Sequence, residues 1–509
     1  MTGRSDAGHG RSQALAGRER VRPDRPSWAA TVIPDAIDPL PVMTAAAAAR
    51  PDQQATSERL FGIDQAWHSH GWPPERAELR ESGAAIRRET LADLDGYLDQ
   101  LQRMVESHGG TVHHAADAAG ARDTVTGIVE RIGAQLVVKS KSMATEEIHL
   151  NQHLESQGLE VVETDLGEYI CQLADERPSH IIAPVIHKSQ GDIHALFQQL
   201  ADDTLADEPE ALTAFARVRL RQDFAAADVG ISGVNFAAAD TGTLAIVSNE
   251  GNARMVTSRP RVHIAVMPVE KVIPRLTDLG TLLPLLTRSA TNQPMSVYQS
   301  LLTGPRRDDD PDGPDELHLV IVDNGRRRLL GTPYEQVLAC IRCGACQVAC
   351  PVYRTVGGHA YGTVYGGPIG AVLSPLLGDG EEAAELPYLS SLCGRCDEVC
   401  PVEIPLSDLL VDLRADHQDR RGPTVERTVW RAWAAAWSRP WSYWLLRRAA
   451  ALGGYLPARL QRAIGPARGW AQGRTLPSPR AAGALRHWLD RRSGRGRRGR
   501  RGGHRHKDT

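Results

Sequence analysis

Seven of the eight cysteines in this 509-residue chain fall in two short runs. The first run is Cys340-x2-Cys343-x2-Cys346-x3-Cys350-Pro351, and the second is Cys393-x2-Cys396-x3-Cys400-Pro401. Both follow the spacing at which thiolates ligate iron-sulfur clusters. A C-x2-C-x2-C loop lets soft sulfur ligands converge on one cluster while its backbone amides point at the bridging sulfides. The two runs therefore predict a module that transfers electrons.

The cysteine before each proline points away from its own loop. In two-cluster ferredoxins this last cysteine ligates the other cluster. The sequence therefore predicts two ligand sets that cross between the runs. Cluster one, a [4Fe-4S] cluster, is predicted to bind Cys340, Cys343, Cys346 and Cys400, and cluster two is predicted to bind Cys350, Cys393 and Cys396.

Cluster two has one thiolate too few, because Ser390 stands where the second run would have its first cysteine. It is predicted to be a [3Fe-4S] cluster, or a [4Fe-4S] cluster whose last corner takes Ser390, water, a substrate oxygen or a residue of a partner. A site with an open corner can also carry out chemistry. Electron relay is the favoured prediction.

Two other uses of cysteine fit the pattern less well. Structural zinc sites use C-x2-C pairs in fours, whereas this chain has triplets and Cys-Pro endings. A disulfide framework is disfavoured because cysteines are sparse elsewhere and no secretory signal is visible, which indicates a reducing cytosol. Cys171 lies alone in an apolar stretch, and we expect a small buried side chain there.

Length and charge set broader bounds. On a prior of about 150 residues per domain, 509 residues suggest about three domains. The formal net charge of −3 does not favour nucleic acid as a partner, and none is expected. The Arg/Gly-rich segment 491–507 is predicted to be a solvated end. No run reaches the ~18 apolar residues of a membrane span, so we expect a cytoplasmic protein, with a peripheral position at the inner face of the membrane as the alternative.

Composition shifts divide the chain into five predicted segments. They are a disordered tail (1–55), an α/β domain (56–310), an iron-sulfur domain (325–420), a Trp-rich helical region (421–475) and a basic disordered tail (476–509). Met43 is an alternative start of translation.

The α/β prediction comes from short apolar runs bounded by turn residues, which are typical of buried strands. These runs are 136–138, 159–162 and 180–186. Thr145, followed by two glutamates, is predicted to cap a helix. His149 and His153 lie four residues apart, but no third metal ligand is in view, so a polar helix face is predicted.

Glycine-rich strands and loops over 230–254 could present backbone amides to an anion, with Lys139, Lys141 and Arg254 as countercharges. This anion pocket is a weak prediction, because such glycines more often mark turns or bulges. Glu250 is a weaker candidate for a nucleophile or base there.

More than half of the chain resembles the lactate-utilisation iron-sulfur protein B family, one of three proteins of a bacterial L-lactate oxidation system. The residues that carry the resemblance are 139–147, 250–257, 261–265, 323–326 and both cysteine runs. The resemblance implies an α/β LUD domain with a parallel sheet, similar to the ribose-phosphate isomerase and coenzyme A transferase group. It also implies that a second run of three cysteines is usual in the family.

The 42 residues between the runs, and apolar helical patterns around Ala339 and over 406–413, make the second module similar to the helical ferredoxins of respiratory dehydrogenases. Such modules pass electrons between a dehydrogenase and a quinone pool.

Trp430, Trp433, Trp437, Trp441 and Trp444 follow at helical steps of three and four, with Pro440 as an interruption. Tryptophans flanked by arginines favour a membrane interface or a partner groove over packing within the chain.

Together these features predict an electron-transfer subunit. A partner from the lactate-utilisation system would oxidise L-lactate to pyruvate, and electrons would pass through both clusters toward a quinone or another acceptor. Two alternatives stay open. In the first, the LUD domain itself would bind and oxidise a hydroxy acid. In the second, the clusters would belong to a redox-sensing scaffold.

Overall fold

The structure is a computed structural model that describes residues 50–69, 75–378, 382–420, 425–453 and 488. The chain divides into two compact units, residues 1–416 and 417–509. The predicted disordered tails lie outside the described residues, apart from a few positions. Residues 51–55 were predicted to belong to the disordered N-terminal tail, but they form the start of helix α1 (Pro51–Ser69).

The first unit is built around a six-stranded, fully parallel sheet of order β1-β10-β7-β4-β2-β3. Its strands are β1 (Thr111–Ala115), β2 (Leu136–Lys139), β3 (Glu160–Glu163), β4 (Val229–Gly233), β7 (Val262–Pro268) and β10 (Glu316–Val322). The predictions of a parallel sheet and of strands near 136–138 and 159–162 are confirmed.

Helices cover both faces of this sheet, as a parallel sheet requires. Side chains of β7 point alternately to the two faces of the sheet, and both faces are covered. Ile264 packs on one face and Met267 on the other, and both are fully buried. The helices of the α/β part are α2 (Arg76–Ala92), α3 (Leu94–Ser107), α4 (Ala118–Ile132), α5 (Met143–Glu147), α6 (Leu150–Ser156), α7 (Leu166–Leu173), α8 (Gln190–Gln198), α9 (Pro209–Ala226), α10 (Asn252–Ser258) and α11 (Leu279–Thr291).

A second, four-stranded sheet has the order β8-β5-β6-β9. It contains β5 (Phe236–Ala238), β6 (Thr243–Ser248), β8 (Val272–Ile273) and β9 (Tyr298–Leu302). Only three residues, a 3-10 turn at Val269–Lys271, separate β7 of the large sheet from β8 of the small one. This turn leaves the carboxyl end of the parallel sheet, where α/β folds usually place their sites.

The cysteine runs belong to a mainly helical segment that shares one hydrophobic core with α1, α2 and α11. Its helices are α12 (Ala345–Ala349), α13 (Pro351–Val356), α14 (Gly367–Leu377), α15 (Arg395–Val399) and α16 (Leu406–Arg420). The predicted apolar helix over 406–413 is α16, whose leucines 406, 409, 410 and 413 are buried.

Three local predictions were wrong: the strand at 180–186, the helix cap at Thr145 and the single helix face that would carry His149 and His153. Residues 180–186 form a loop, because the His180 ring accepts hydrogen bonds from the amides of Ile182 and Ala183, which turns the chain. The cap of α5 is Ser142, which accepts from the Thr145 amide (3.3 Å). The helix then breaks at His149, which has φ +51°.

The second unit contains α17 (Val425–Ser438) and α18 (Pro440–Gly453). The predicted interruption is confirmed, since α18 starts at Pro440. Trp433 packs against Trp430 and Trp437, with ring centroids 5.7 and 5.9 Å apart. Both Trp430 and Trp441 are more than half exposed. Among the described residues, no helix combines the length and apolar character needed to cross a bilayer.

Candidate iron-sulfur site

The two cysteine runs fold into loops of the same backbone conformation, fifty positions apart. The residue before the second position of each loop has a positive φ, +63° at Arg342 and +52° at Leu392. Gly344 and Gly394 follow with the same φ of +75° and ψ of −3°. A five-residue helix then leads to Cys-Pro in both loops. The sequence spacing thus corresponds to a repeated structural unit.

Backbone amides point at the sulfur atoms of these loops. The Arg342 amide donates to Cys340 Sγ (3.4 Å), and the Ile404 amide donates to Cys400 Sγ (3.3 Å). The Tyr353 amide donates to Cys350 Sγ (3.4 Å). Donors aimed at sulfur stabilise the thiolate form and are a lever by which proteins tune iron-sulfur clusters.

The thiols fall into two electrostatic groups. Burial, followed by the charges of Cys340 and Cys343 and then of Cys400, raises the pKa of Cys346 well above its usual value. Burial raises the pKa of Cys400 to about 11, with a smaller contribution from Cys340. These four neighbours are the residues predicted for cluster one.

The remaining three cysteines form the second group. Burial raises the pKa of Cys350, and Cys393 adds to this shift. Burial also raises the pKa of Cys396, to which Cys350 and Cys393 contribute after the adjacent Asp397. Two sets of thiols, most of them buried, suit a soft metal centre, and bound iron would hold them deprotonated.

The two groups differ in exposure. Cys343 is 7% exposed, and the loop around it is buried throughout. Cys393 is exposed, and Leu392 beside it is 40% exposed. Cys350 and Cys396 of the second group are buried, so the difference in exposure lies at Cys393 and the residues beside it.

Ser390 lies at the position that Cys340 has in the first loop. Its Oγ accepts a hydrogen bond from the Leu392 amide at 3.1 Å. The side chain is half-buried, and Arg414 holds its backbone carbonyl at 3.0 Å.

The first loop covers the carboxyl end of the parallel sheet, where a buried ionic network meets it. Arg342 Nη2 lies 2.9 Å from Glu270 Oε1, just beyond β7. Burial would lower the pKa of Arg342, but Cys340, Tyr365 and Glu270 outweigh it and raise that pKa. The guanidinium therefore stays charged between two predicted ligands.

Lys271 adds a second buried amine beside this loop. Its Nζ lies 3.5 Å from the carbonyl oxygen of Ile341. Burial, helped by the charge of Arg342, lowers the pKa of Lys271 to about 7, against the pull of Glu270 and Cys340.

Arg87 of α2 ties the loop to the sheet from below and is 1% exposed. It donates to the carbonyls of Val272 (3.0 Å), Ala339 (3.2 Å) and Leu338 (3.2 Å), and also to that of Glu270. One guanidinium thus fixes the start of the first cysteine run relative to β8.

Glu147 is the second anion of the network. It pairs with Arg326 (2.6 Å) and accepts from Tyr365 Oη (2.6 Å) and from Asn324 (2.7 Å). Burial alone would raise the pKa of Glu147, but Arg326 overrides it and lowers the pKa to about 2. Tyr365 in turn stacks on Arg342, 4.9 Å from guanidinium to ring centre.

The loop 174–189, which contains the run 180–186 that was predicted as a strand, covers the other side of the cysteine module. His359 Nε2 lies 2.8 Å from the Arg177 carbonyl, and Tyr353 Oη donates to the Ser179 carbonyl. A Cβ on Gly358 would lie 1.7 Å from the Ser179 oxygen, so only glycine fits there. Within the loop, His187 bridges Ser179 and Glu176, each at 2.7 Å.

The predicted anion pocket contains cations that carboxylates already neutralise. Lys139 is fully buried and lies 2.7 Å from Glu163, and Lys141 lies 3.2 Å from Glu168. Burial would lower the pKa of Lys139, but Glu163 and then Glu146 raise it. The oxygens of Glu146, Glu163 and Glu168 all lie within 4.8 Å of one another around these lysines.

Other residues of that prediction have local roles. Arg254 is exposed on α10, and Glu250 accepts from the Leu166 amide (3.0 Å) at the start of α7. Gly230 lies inside β4, where a Cβ would be 2.0 Å from the Val256 oxygen, so close packing explains this glycine. The anion pocket stays a prediction that none of these contacts supports.

Sequence reasoning did not identify Glu270, Arg87 or Arg342 as part of the site. A charged residue inside the first C-x2-C spacer was the one available signal for Arg342. Glu147 and Arg326 lay within the motifs that carried the family resemblance, but their pairing is a long-range contact that spacing does not reveal.

Family models match three consecutive parts of the chain. They are the LUD domain at residues 98–322, a 4Fe-4S dicluster domain at 336–404 and the model described as "Lactate utilisation protein B, C-terminal" at 413–494. A crystal structure of a DUF162 family protein from Deinococcus radiodurans is 12% identical over 45% of this chain and 98% of that one. Its TM-score of 0.26 is too low to support a statement about fold.

Relatives named lactate utilization protein B match about four fifths of this chain. The Anoxybacillus flavithermus protein is 46% identical over 82% of this chain and 89% of its own. The Oceanobacillus iheyensis protein is 45% identical (82% and 88%), and that of a Geobacillus species is 47% identical (79% and 86%). The chain therefore belongs to the lactate utilization protein B family.

Proposed function

We propose that this protein is the electron-transfer subunit of a multi-protein system that oxidises L-lactate to pyruvate. The observation that carries the proposal is the pair of matching cysteine loops, one enclosed by the α/β part and one near the surface. Two iron-sulfur clusters held by these loops would accept and release single electrons. We assign cluster one to Cys340, Cys343, Cys346 and Cys400, and cluster two to Cys350, Cys393 and Cys396.

The protein's own residues would set the environment of each electron. Arg342 supplies a buried positive charge beside the first loop, which favours an added negative charge there. Burial of Cys343 and its neighbours excludes water from that loop. The exposed Cys393 and Leu392 leave the second loop within reach of a redox partner.

The downstream acceptor is part of the same proposal. Exposed aromatic side chains on α17 and α18, among them Trp430 and Trp444, suit a peripheral contact with a membrane or with a partner. We propose a quinone-linked acceptor at the inner face of the membrane. The segments predicted from composition remain part of this proposal, except that helix α1 begins inside the predicted N-terminal tail. The likeness of the LUD part to the isomerase and coenzyme A transferase group is also part of it.

One experiment tests the proposal directly. The full-length protein is reconstituted without oxygen, mixed with candidate partners from the same system and given L-lactate. We expect partner-dependent reduction of the clusters, seen as bleaching of their visible absorbance and as a paramagnetic signal. D-lactate and the mixture without partners serve as controls. Clusters that stay oxidised with every partner combination would contradict the proposal.

In a second candidate function, the LUD domain itself binds a hydroxy acid through Lys139, Lys141 and Arg254. The pairing of both lysines with glutamates weighs against it. Titration of the full-length protein with L-lactate distinguishes the two functions, because millimolar binding without any partner is expected only here. A redox-sensing scaffold is the third candidate, and it predicts partner affinity that changes with cluster loss and no reduction linked to turnover.

A further inference from the structure

We propose that Ser390 is the fourth protein ligand of cluster two, bound through its side-chain oxygen. The inference rests on the proposed iron-sulfur function and adds one residue to it. It follows from comparing the two cysteine loops position by position, at an offset of fifty residues.

The backbone of the second loop retains the conformation of a four-ligand loop although one cysteine is missing. Leu392 has a positive φ like Arg342, and Gly394 has the dihedral angles of Gly344. A positive φ is costly for a leucine, and a loop without a ligand before it would have little reason to keep one. The repeated backbone geometry places residue 390 at the position that the ligand Cys340 has in the first loop.

The hydrogen bonds give the same correspondence at the level of single atoms. In the first loop, the amide two residues beyond Cys340 donates to its sulfur at 3.4 Å. In the second loop, the amide two residues beyond Ser390 donates to its oxygen at 3.1 Å. Ser390 Oγ therefore occupies the place of a ligand sulfur. A serine that only capped a turn would not need the rest of the loop to match.

Neighbouring contacts hold this serine in position. Arg414 of α16 donates to the carbonyls of Ser390 (3.0 Å) and Pro387 (2.9 Å). Leu389 beside it is buried, whereas Ser391 is exposed. Of the two adjacent serines, only Ser390 is fixed in the manner of a ligand.

Binding of the Ser390 oxygen to iron requires no oxidant or reductant. On binding, the Ser390 O–H bond breaks, an iron–oxygen bond forms and the proton leaves to solvent, to which the half-exposed loop gives access. A metal ion lowers the pKa of a bound hydroxyl far enough for this loss. Alkoxide is a harder donor than thiolate and favours the more oxidised iron. Cluster two would then have a lower reduction potential than it would with a fourth cysteine.

The test uses full-length protein reconstituted with ⁵⁷Fe under anaerobic conditions. Wild type, Ser390→Ala, Ser390→Cys and the matched control Ser391→Ala are compared by iron and sulfide content, Mössbauer spectra and paramagnetic signals. We expect two four-iron clusters in wild type and in the control, with one iron site in a distinct, oxygen-ligated environment. Ser390→Ala should lose that site and yield a three-iron signal on mild oxidation.

The cysteine variant separates loss of a ligand from loss of folding. Ser390→Cys should keep four irons in cluster two, lose the distinct iron site and raise the reduction potential of that cluster. The reciprocal Cys340→Ser should create such a site in cluster one. The assignment would be overturned if the spectrum of Ser390→Ala were the same as that of wild type. It would also be overturned if cluster two of the wild type contained three irons. Absence of iron and sulfide from all variants would instead overturn the proposed function.

Discussion

Arg342 and Glu270, 72 positions apart in sequence, form a buried ion pair with an N–O distance of 2.9 Å. Arg342 lies inside the first cysteine spacer, and Glu270 is the middle residue of the turn that leaves the carboxyl end of β7. Their side chains are 7% and 0% exposed. The pair therefore joins the candidate metal site to the central sheet at a point that water does not reach.

Substitution of Glu270 should strongly destabilise the first unit. Glu270 also lies 2.7 Å from Arg326 Nε. Glu270→Gln therefore removes the carboxylate that the buried Arg342 and Arg326 share, and such a break typically costs about 3–5 kcal/mol. The matched control is Glu89→Gln, which removes an exposed ion pair to Arg275 and should cost at most about 1 kcal/mol. Anaerobic denaturant unfolding measures both. Equal costs would show that the buried pair is not special.

Local patterns could be predicted from the sequence, whereas long-range pairings could not. Apolar runs bounded by turn residues identified β2 and β3, and Pro440 identified the break between the Trp-rich helices. The run 180–186 was misread because a histidine side chain competes for its amides, which apolar periodicity does not show.

The candidate site was accessible from sequence only in part. Cysteine spacing reveals the loops because ligands close in sequence must converge. Glu270, Arg87 and Glu147 come from three other elements, and only the folded chain brings them to the first loop. The lysines of the anion pocket looked available because their partners, Glu163 and Glu168, lie more than twenty residues away.

Removal of the cation at Arg342 should lower the reduction potential of cluster one. Arg342→Gln keeps a polar, hydrogen-bonding side chain but removes a buried positive charge beside Cys340, which disfavours the added electron. We expect a decrease on the order of 60 mV, a tenfold change for one electron. Potentiometric titration followed by paramagnetic signals measures it.

The second loop offers the matched control for this experiment. Leu392 stands where Arg342 stands in the first loop, so Leu392→Arg should raise the potential of cluster two and leave cluster one unchanged. The exposed position should make the shift smaller. If Arg342→Gln moved neither potential, the buried guanidinium would have no electrostatic role.

Chelators should attack cluster two before cluster one. Cys393 and Leu392 are exposed, whereas Cys343 lies 7% exposed inside the hydrophobic core. With a chelator and mild oxidant, we expect the iron sites assigned to the second loop to be lost severalfold faster. Time-resolved Mössbauer spectra of ⁵⁷Fe protein measure the order. Simultaneous loss of both clusters would contradict the difference in access.

Replacement of Cys343 by serine should abolish or alter one cluster signal and leave the other unchanged. The matched control is Cys171→Ala, since Cys171 lies buried on α7 and burial raises the pKa of its thiol, which keeps it neutral. Iron content and paramagnetic spectra should be at wild-type level in the control. An unaltered spectrum in Cys343→Ser would remove Cys343 from the ligand set.

Acid should destabilise the contact between the loop at 180–186 and the cysteine module through His180. Burial, followed by the charge of Lys141, lowers the pKa of His180 to about 3. Its Nδ1 accepts from the amides of Ile182 and Ala183, both at 3.1 Å, so the folded protein needs the neutral ring. In the unfolded chain this histidine has its ordinary pKa of about 6.5 and takes up a proton below that pH, whereas the folded protein does not until about pH 3. The free energy of unfolding therefore falls as the pH drops below about 6.5.

The size of the effect follows from one proton. Between about pH 7.5 and about pH 5, His180 should cost the folded state about 2 kcal/mol. His180→Asn keeps an oxygen that can accept from the same amides but cannot be protonated in this range, so its stability should fall less over the same interval. Anaerobic unfolding at each pH compares the two proteins. Because His263 has a pKa lowered to about 3 by the same burial, both proteins retain its contribution, and only the difference between their slopes reports on His180.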